Sequence, residues 1–170
     1  MVKKVLRATP EDVPVLEEIN LQALRDTYNE LLPEEYFASL TPEEGEAVWR
    51  RALERPGQEV WVAELDGRVA GVAGCKPDPE HEGWLNLGSL YVDGACQGRG
   101  VGRTLIQTVW DRALAMDCGG VSVCVVRDNP RARGLYEGLG ARFLRECVYE
   151  FGVWPLDCRC YVWPLEEARP

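Results

Sequence analysis

The stretch "VDGACQGRGVGRTLI", residues 92–106, decides how this chain is read. Leu90, Tyr91 and Val92 lead into it as a strand. Leu105, Ile106, Val109, Trp110, Ala113 and Leu114 follow at helical spacing. Between them, Gly98, Gly100 and Gly102 let the backbone turn so that several N–H groups converge where a helix begins. The positive end of that helix, with Arg99 and Arg103, suits an anion. A tight strand-to-helix connection with no ligand uses the same letters.

Upstream, "EVWVAEL" (59–65) and "RVAGVAGCK" (68–76) are strands joined by Asp66-Gly67, a strong hairpin signal. "WLNLGSLYV" (84–92) is the next strand, and Gly88 within it suggests a bulge. "KKVLRA" (3–8) is a first strand, followed by Thr9 as N-cap and Pro10 at the first helical position. Val13, Leu16, Ile19, Asn20 and Ala23 share one face of the helix after it, which breaks near residues 31–33. Thr41 and Glu44 have capping-box spacing before a second helix, with Trp49, Ala52 and Leu53 on one face.

Downstream, "GGVSVCVV" (119–126) reads as a buried central strand. Asn129 is a good N-cap, Pro130 a good first helical residue and Gly140 a good terminator. "FLRECVYEF" (143–151) and "CRCYVWPL" (158–165) close the chain as strands. The order β-α-α-β-β-β-α-β-α-β-β predicts an α/β (α+β) fold. Its sheet is mixed, of about seven strands, with helices on both faces. A right-handed helical crossover makes the strands on either side of it parallel. One domain over residues 1–170 suits this length.

Composition narrows the function. A net charge of −9 argues against a duplex nucleic acid partner, whose affinity comes from Lys and Arg on phosphates. No apolar run reaches the ~18 residues of a membrane span, and the first residues lack the apolar core of a signal peptide, so the expectation is a cytoplasmic protein off the membrane. Seven irregularly spaced cysteines indicate neither a disulfide framework nor a zinc site; they read as small buried apolar residues. His81, the one histidine, sits in "PDPEHEG" and reads as a solvated loop residue.

Two well-known phosphate motifs fail on the letters. A Walker loop needs Gly at position 97 and Lys at 103, which hold Gln97 and Arg103. A dinucleotide fingerprint needs a glycine three residues after its second one, and the candidates are Arg103 and Leu105.

Gln97-x-x-Gly100-x-Gly102 after Leu90-Tyr91-Val92 resembles the acetyl-coenzyme A signature of the GCN5-related N-acetyltransferases. About 30 residues on, "NPRARGLYEGLGARF" resembles that family's next block. Asn129, Ala132, Leu135, Tyr136 and Gly140 are in place, and Phe143 falls two residues late. The resemblance runs over roughly residues 3–163 and implies acetyl-coenzyme A as cosubstrate and no metal. It implies a pyrophosphate on the backbone amides of Gln97, Gly98, Arg99, Gly100, Val101, Gly102 and Arg103. The cofactor arm would lie along Leu90, Tyr91 and Val92, where a backbone N–H near Leu90 or Val92 polarises the thioester carbonyl. Asn129 would touch that arm, or serve only as N-cap, or both. Tyr136 would protonate the departing thiolate, or belong only to the apolar stripe of Ala132, Leu135 and Leu139.

The resemblance leaves the base open. Many relatives carry a glutamate four positions before the Leu-Tyr-Val leucine, where this chain has Asn86. Glu64, Asp93, Asp128, Asp26 and Glu30 are candidates, as is a water chain. The acceptor site is expected near Asp26, Tyr28, Glu30, Glu34, Glu35 and Tyr36, acids and aromatics that suit a cationic amine or simply form a solvated face. The implied acceptor is an amine of a small molecule or peptide, and the chain a monomer or a homodimer, with Trp154, Tyr161 and Trp163 as a candidate subunit contact. A non-catalytic acetyl-coenzyme A-binding or sensing domain is the alternative.

Overall fold

The computed structural model describes residues 4–165. Lys3, read with the first strand, lies outside them, as do the two ends of the expected domain. Seven strands form one mixed sheet in the order β1-β2-β3-β4-β5-β7-β6. They are β1 (Lys4–Arg7), β2 (Glu59–Leu65), β3 (Arg68–Pro77), β4 (Leu85–Val92), β5 (Gly120–Val126), β6 (Arg142–Phe151) and β7 (Trp154–Pro164). Every neighbouring pair is antiparallel except β4–β5, the pair spanned by the helical crossover. The β2–β3 hairpin turns at Asp66 and Gly67, with φ of 52° and 77°. Two positive φ values are what a tight two-residue hairpin turn demands.

The helices are α1 (Val13–Tyr28), α2 (Glu34–Ser39), α3 (Pro42–Glu54), α4 (Val101–Ala115) and α5 (Pro130–Gly138). The entry to α1 is set by Thr9, whose backbone N–H donates to the Asp12 carboxylate at 2.8 Å; α3 starts where the Glu44 N–H donates to Thr41 Oγ1 at 3.3 Å. The short helix α2 was not expected. Six residues are too few to display a helical period, and it is held instead by burial of Tyr36 and Phe37 with Leu32.

The two sheet faces carry separate cores. On one, Val13 and Leu16 of α1 and Trp49 and Ala52 of α3 pack on Val60, Val62 and Val72. On the other, Leu105, Ile106 and Val109 of α4 pack over strand residues Ala63, Leu85 and Val123. The expectation of helices on both faces therefore holds. Strand β7 begins four residues earlier than the sequence suggests, because Pro155 sits at the hairpin end of the β6–β7 ladder, paired with Glu150.

One charged group is buried among these helices. Glu17 is 3% exposed and accepts from Trp49 Nε1 at 2.9 Å and from Asn20 Nδ2 at 3.2 Å. Burial pushes its carboxyl above the ordinary range, against those two hydrogen bonds. Between the unfolded and folded values the native state holds the extra proton. Stability from this site is therefore full at the acid side and falls as pH rises through the folded value. Glu17→Gln keeps an acceptor for Trp49 and cannot ionise. Urea titrations of both proteins over a pH series are expected to show the variant gaining on the wild type as pH rises.

Candidate active site

Strands β4 and β5 part company halfway. Leu85–Leu87 pair with Val121–Val123, and no pairing of the two strands follows beyond these residues. On its other edge β4 runs against β3, and the register steps from Ser89 opposite Gly74 to Leu87 opposite Cys75. Gly88 is the extra residue, so the bulge falls where the sequence suggested it. After the bulge, Leu90–Val92 stay with β3 while β5 continues along β7. The result is a V-shaped gap whose β4 edge presents backbone groups directed at the missing neighbour.

Two cavities meet at this gap. One, of about 370 Å³, lies between the end of β4, the glycine loop and α5. Of the residues expected to hold the cofactor, 90–92, 97, 98, 100–103, 129 and 136 all line it. Arg99 does not; its guanidinium pairs with Asp66 of the β2–β3 turn at 3.1 Å. Arg131, which sequence reading passed over, lines it too and donates to Gln97 Oε1. The second cavity, of about 440 Å³, opens between the β3–β4 loop, β5 and β6. Tyr28, Leu90, Tyr91, Asn129, Ala132 and Tyr136 line both.

The glycine loop is built for an anion. Gly98 and Gly100 have φ of 75° and 81°, a region that costs an L-residue ~1–2 kcal/mol. Gly100 is the N-cap of α4, so the first-turn amides after it have no partners within the helix and face the cavity. A Cβ at Gly100 would meet nothing, so its requirement is conformational alone. Gly100→Ala is accordingly expected to cost ~1 kcal/mol of stability and to weaken coenzyme A binding, read by urea titration and calorimetry.

Asn129 is the N-cap of α5, its Oδ1 accepting from the Ala132 N–H at 3.2 Å, and it also lines both cavities. Tyr28, from the end of α1, lines both cavities with it. Tyr136 belongs to the core, as the apolar-stripe reading allows, and also reaches the cavities. Its ring stands edge-on to Trp163 at 5.6 Å within the core, and it borders the junction of the cavities. Burial pushes its phenol well above the usual range, so it keeps its proton at neutral pH. Tyr91 turns its ring to Trp49 on the other face, leaving its backbone to the gap.

None of the five candidate bases lines either cavity. Asp93 accepts from the Ala95 N–H, Asp128 pairs with Arg127, and Asp26 accepts from Gln22. Of the expected acceptor residues, Tyr28 alone lines a cavity; Glu34 pairs with Arg25, and Tyr36 joins an aromatic cluster with Phe151 and Trp154. Trp154, Tyr161 and Trp163 do not make a free contact face: Tyr161 and Trp163 are 1% and 5% exposed, and Trp154 packs on Tyr36.

His81 is not a solvated loop residue. It is partly buried on the wall of the larger cavity, 3.1 Å from Asp78. No local pattern shows this, because the loop closes on β5, some 40 residues away. The cysteines also need correcting. Cys124 of β5 and Cys160 of β7 stand opposite each other in the ladder and are disulfide-bonded, with Cys147 Sγ 3.3 Å from Cys160. Irregular sequence spacing conceals a pair that strand register creates. Cys75, Cys118 and Cys158 are buried as expected.

With this geometry in place, comparison with known proteins is informative. The family model described as "Acetyltransferase (GNAT) family" matches residues 21–141. YuaI, an uncharacterized N-acetyltransferase of Bacillus subtilis, is 30% identical over 129 residues, covering 74% of this chain and 73% of its own. A ribosomal-protein-alanine N-acetyltransferase from Brucella melitensis superposes with a TM-score of 0.76 at 26% identity, over 95% of this chain and 99% of that one. The fold is also that of yncA from Salmonella typhimurium, a putative acetyltransferase solved with its cofactor acetyl-CoA (TM-score 0.72, 23% identity, 95% and 93% coverage). Some curated relatives are longer: the matched stretch spans 56%, 36% and 30% of three of them. Among the described residues, no helix is long and apolar enough to cross a membrane.

Proposed function

The chain belongs to the GNAT family of acetyltransferases, and on that premise we propose that it moves the acetyl group of acetyl-coenzyme A directly to a primary amine of a small molecule or peptide. The observation that carries this reading is the junction. A phosphate-type loop and a splayed strand bound one cavity, a second cavity approaches from the other side, and Tyr136 borders both. One cavity suits a long anionic cosubstrate and the other its acceptor, so neither has to leave before transfer.

The amides of Gln97, Gly98, Gly100, Val101, Gly102 and Arg103 hold the pyrophosphate, with the Arg103 and Arg131 side chains beside them. The free edge of β4 pairs with the amide-bearing arm as a neighbouring strand would. An N–H near Leu90 or Val92 donates to the thioester oxygen, where charge grows during attack. The Tyr136 hydroxyl gives its proton to the sulfur as the carbon–sulfur bond breaks.

Free-thiol release from acetyl-coenzyme A, followed with a panel of amino acids, polyamines, aminoglycosides and peptide N-termini, tests the reading. Amine-dependent release is expected. Tight cofactor binding without release across the panel would instead identify an acetyl-coenzyme A sensor. Failure of coenzyme A to stabilise the fold against heat would remove both readings.

A further inference from the structure

Acetyl transfer to an amine needs a group that removes a proton from the incoming ammonium, and the wall of the larger cavity holds one. Resting on the acetyltransferase reading, we propose that His81, held by Asp78, is that base. Asp78 follows the end of β3, and its side chain is 4% exposed. One carboxylate oxygen accepts from the backbone N–H groups of Glu80 and His81 at 2.8 and 3.2 Å. The other accepts from Ser122 Oγ at 2.5 Å and faces His81 Nδ1 at 3.1 Å. Ser122 in turn accepts from Asn86 Nδ2 at 3.0 Å. The network ties the β3–β4 loop to β4 and β5, so the imidazole is fixed to the sheet although it sits in a loop.

The carboxylate can only accept, which settles the tautomer. Nδ1 carries the proton and Nε2 keeps a lone pair. Trp84 backs the ring at 5.4 Å. Burial alone would push the Asp78 carboxyl up, but the bonds from Ser122, the Glu80 N–H and His81 outweigh it and hold it below the usual range. Asp78 therefore stays charged and stabilises the imidazolium that proton transfer creates.

The other titratable groups on this cavity suit the task less well. Glu80 is paired with Arg145 of β6 at 2.5 Å. Burial pushes up the phenols of Tyr28, Tyr91 and Tyr136, and pushes the Cys158 thiol to about 11. Lys76 from β3 brings an ammonium, which has donors and no acceptor, and Tyr149 from β6 brings a phenol. An imidazole is the side chain whose ordinary titration spans neutrality.

The step balances. His81 Nε2 takes one proton from the ammonium, and the freed lone pair forms the carbon–nitrogen bond to the acetyl carbon. The carbon–sulfur bond breaks with its electron pair on sulfur, which takes a proton through Tyr136 as nitrogen sheds its second. The products are the amide, the thiol and one proton, which the imidazolium returns to water.

The test is the pH profile of thiol release by wild type, His81→Gln and His81→Ala, with a good amine from the panel. Both variants are expected to lose about 10²-fold in kcat near neutral pH, with KM for acetyl-coenzyme A and the unfolding midpoint unchanged, and the deficit should shrink as pH rises. Added imidazole is expected to restore part of the rate of His81→Ala. Variants within two-fold of wild type, with its acid-side fall intact, would overturn the assignment. So would a loss of rate matched by loss of cofactor binding and not relieved by imidazole. Wild type inactive with every amine would overturn the acetyltransferase reading itself, and is told apart because there is then no wild-type rate to compare.

Discussion

Tyr136→Phe is expected to lower kcat by about 10²-fold while leaving acetyl-coenzyme A affinity within two-fold of wild type. The change removes one hydroxyl and keeps the ring that stands against Trp163. Packing, which is the rest of what Tyr136 does, survives. What disappears is the donor proposed for the sulfur. Negative charge appears on sulfur as the thiolate departs, and a phenol whose proton is held by burial can still donate to it. Steady-state kinetics with calorimetric binding separates the two effects. A thioester with a more acidic thiol should narrow the gap between variant and wild type, because its leaving group needs less help. An unchanged kcat would mean that Tyr136 serves the core alone.

The largest expected loss of stability is at Leu105, on the inner face of α4. Its side chain is 0% exposed and packs directly over β3: a Cβ placed on Gly71 would come within 3.2 Å of Leu105 Cδ1. Leu105→Ala leaves a cavity between helix and sheet, and such truncations cost about 2–5 kcal/mol. Because α4 carries the first-turn amides of the glycine loop, the variant should also bind coenzyme A more weakly than Ala substitutions on the opposite face, such as Val60→Ala. Urea unfolding gives the first number and calorimetry the second. Equal weakening of binding by both substitutions would break the link drawn here between α4 packing and the loop.

Most of the frame is legible in the sequence, for identifiable reasons. Asp66-Gly67 forces a hairpin, and Gly88 betrays the bulge because a glycine inside a strand has no packing to offer. Gly98, Gly100, Asn129 and Tyr136 sit in blocks whose spacing is fixed by one loop and one helix, so their letters keep their meaning without a structure. The larger cavity is different. The Asp78–His81 pair lies within one loop, but the Ser122 link and the Cys124–Cys160 bridge join a loop and strands far apart in the chain. These two long-range contacts come from sheet order, with β4 on one side of β5 and β7 on the other, and no local periodicity records that order. The acids of α1 and α2 allowed a cation site or a solvated face, and the structure fits the second. Their composition suits a cation, but ion pairs and helix-surface bonds occupy Glu34 and Asp26.

The central claim is that the β4–β5 gap seats the cofactor arm with its sulfur at Tyr136. A crystal structure with coenzyme A bound tests it most directly. The pyrophosphate is expected on the amides of residues 97, 98 and 100–103, the arm along residues 90–92, and the thiol within hydrogen-bonding distance of the Tyr136 hydroxyl. A pyrophosphate bound elsewhere, or a thiol emerging away from Tyr136, would contradict it.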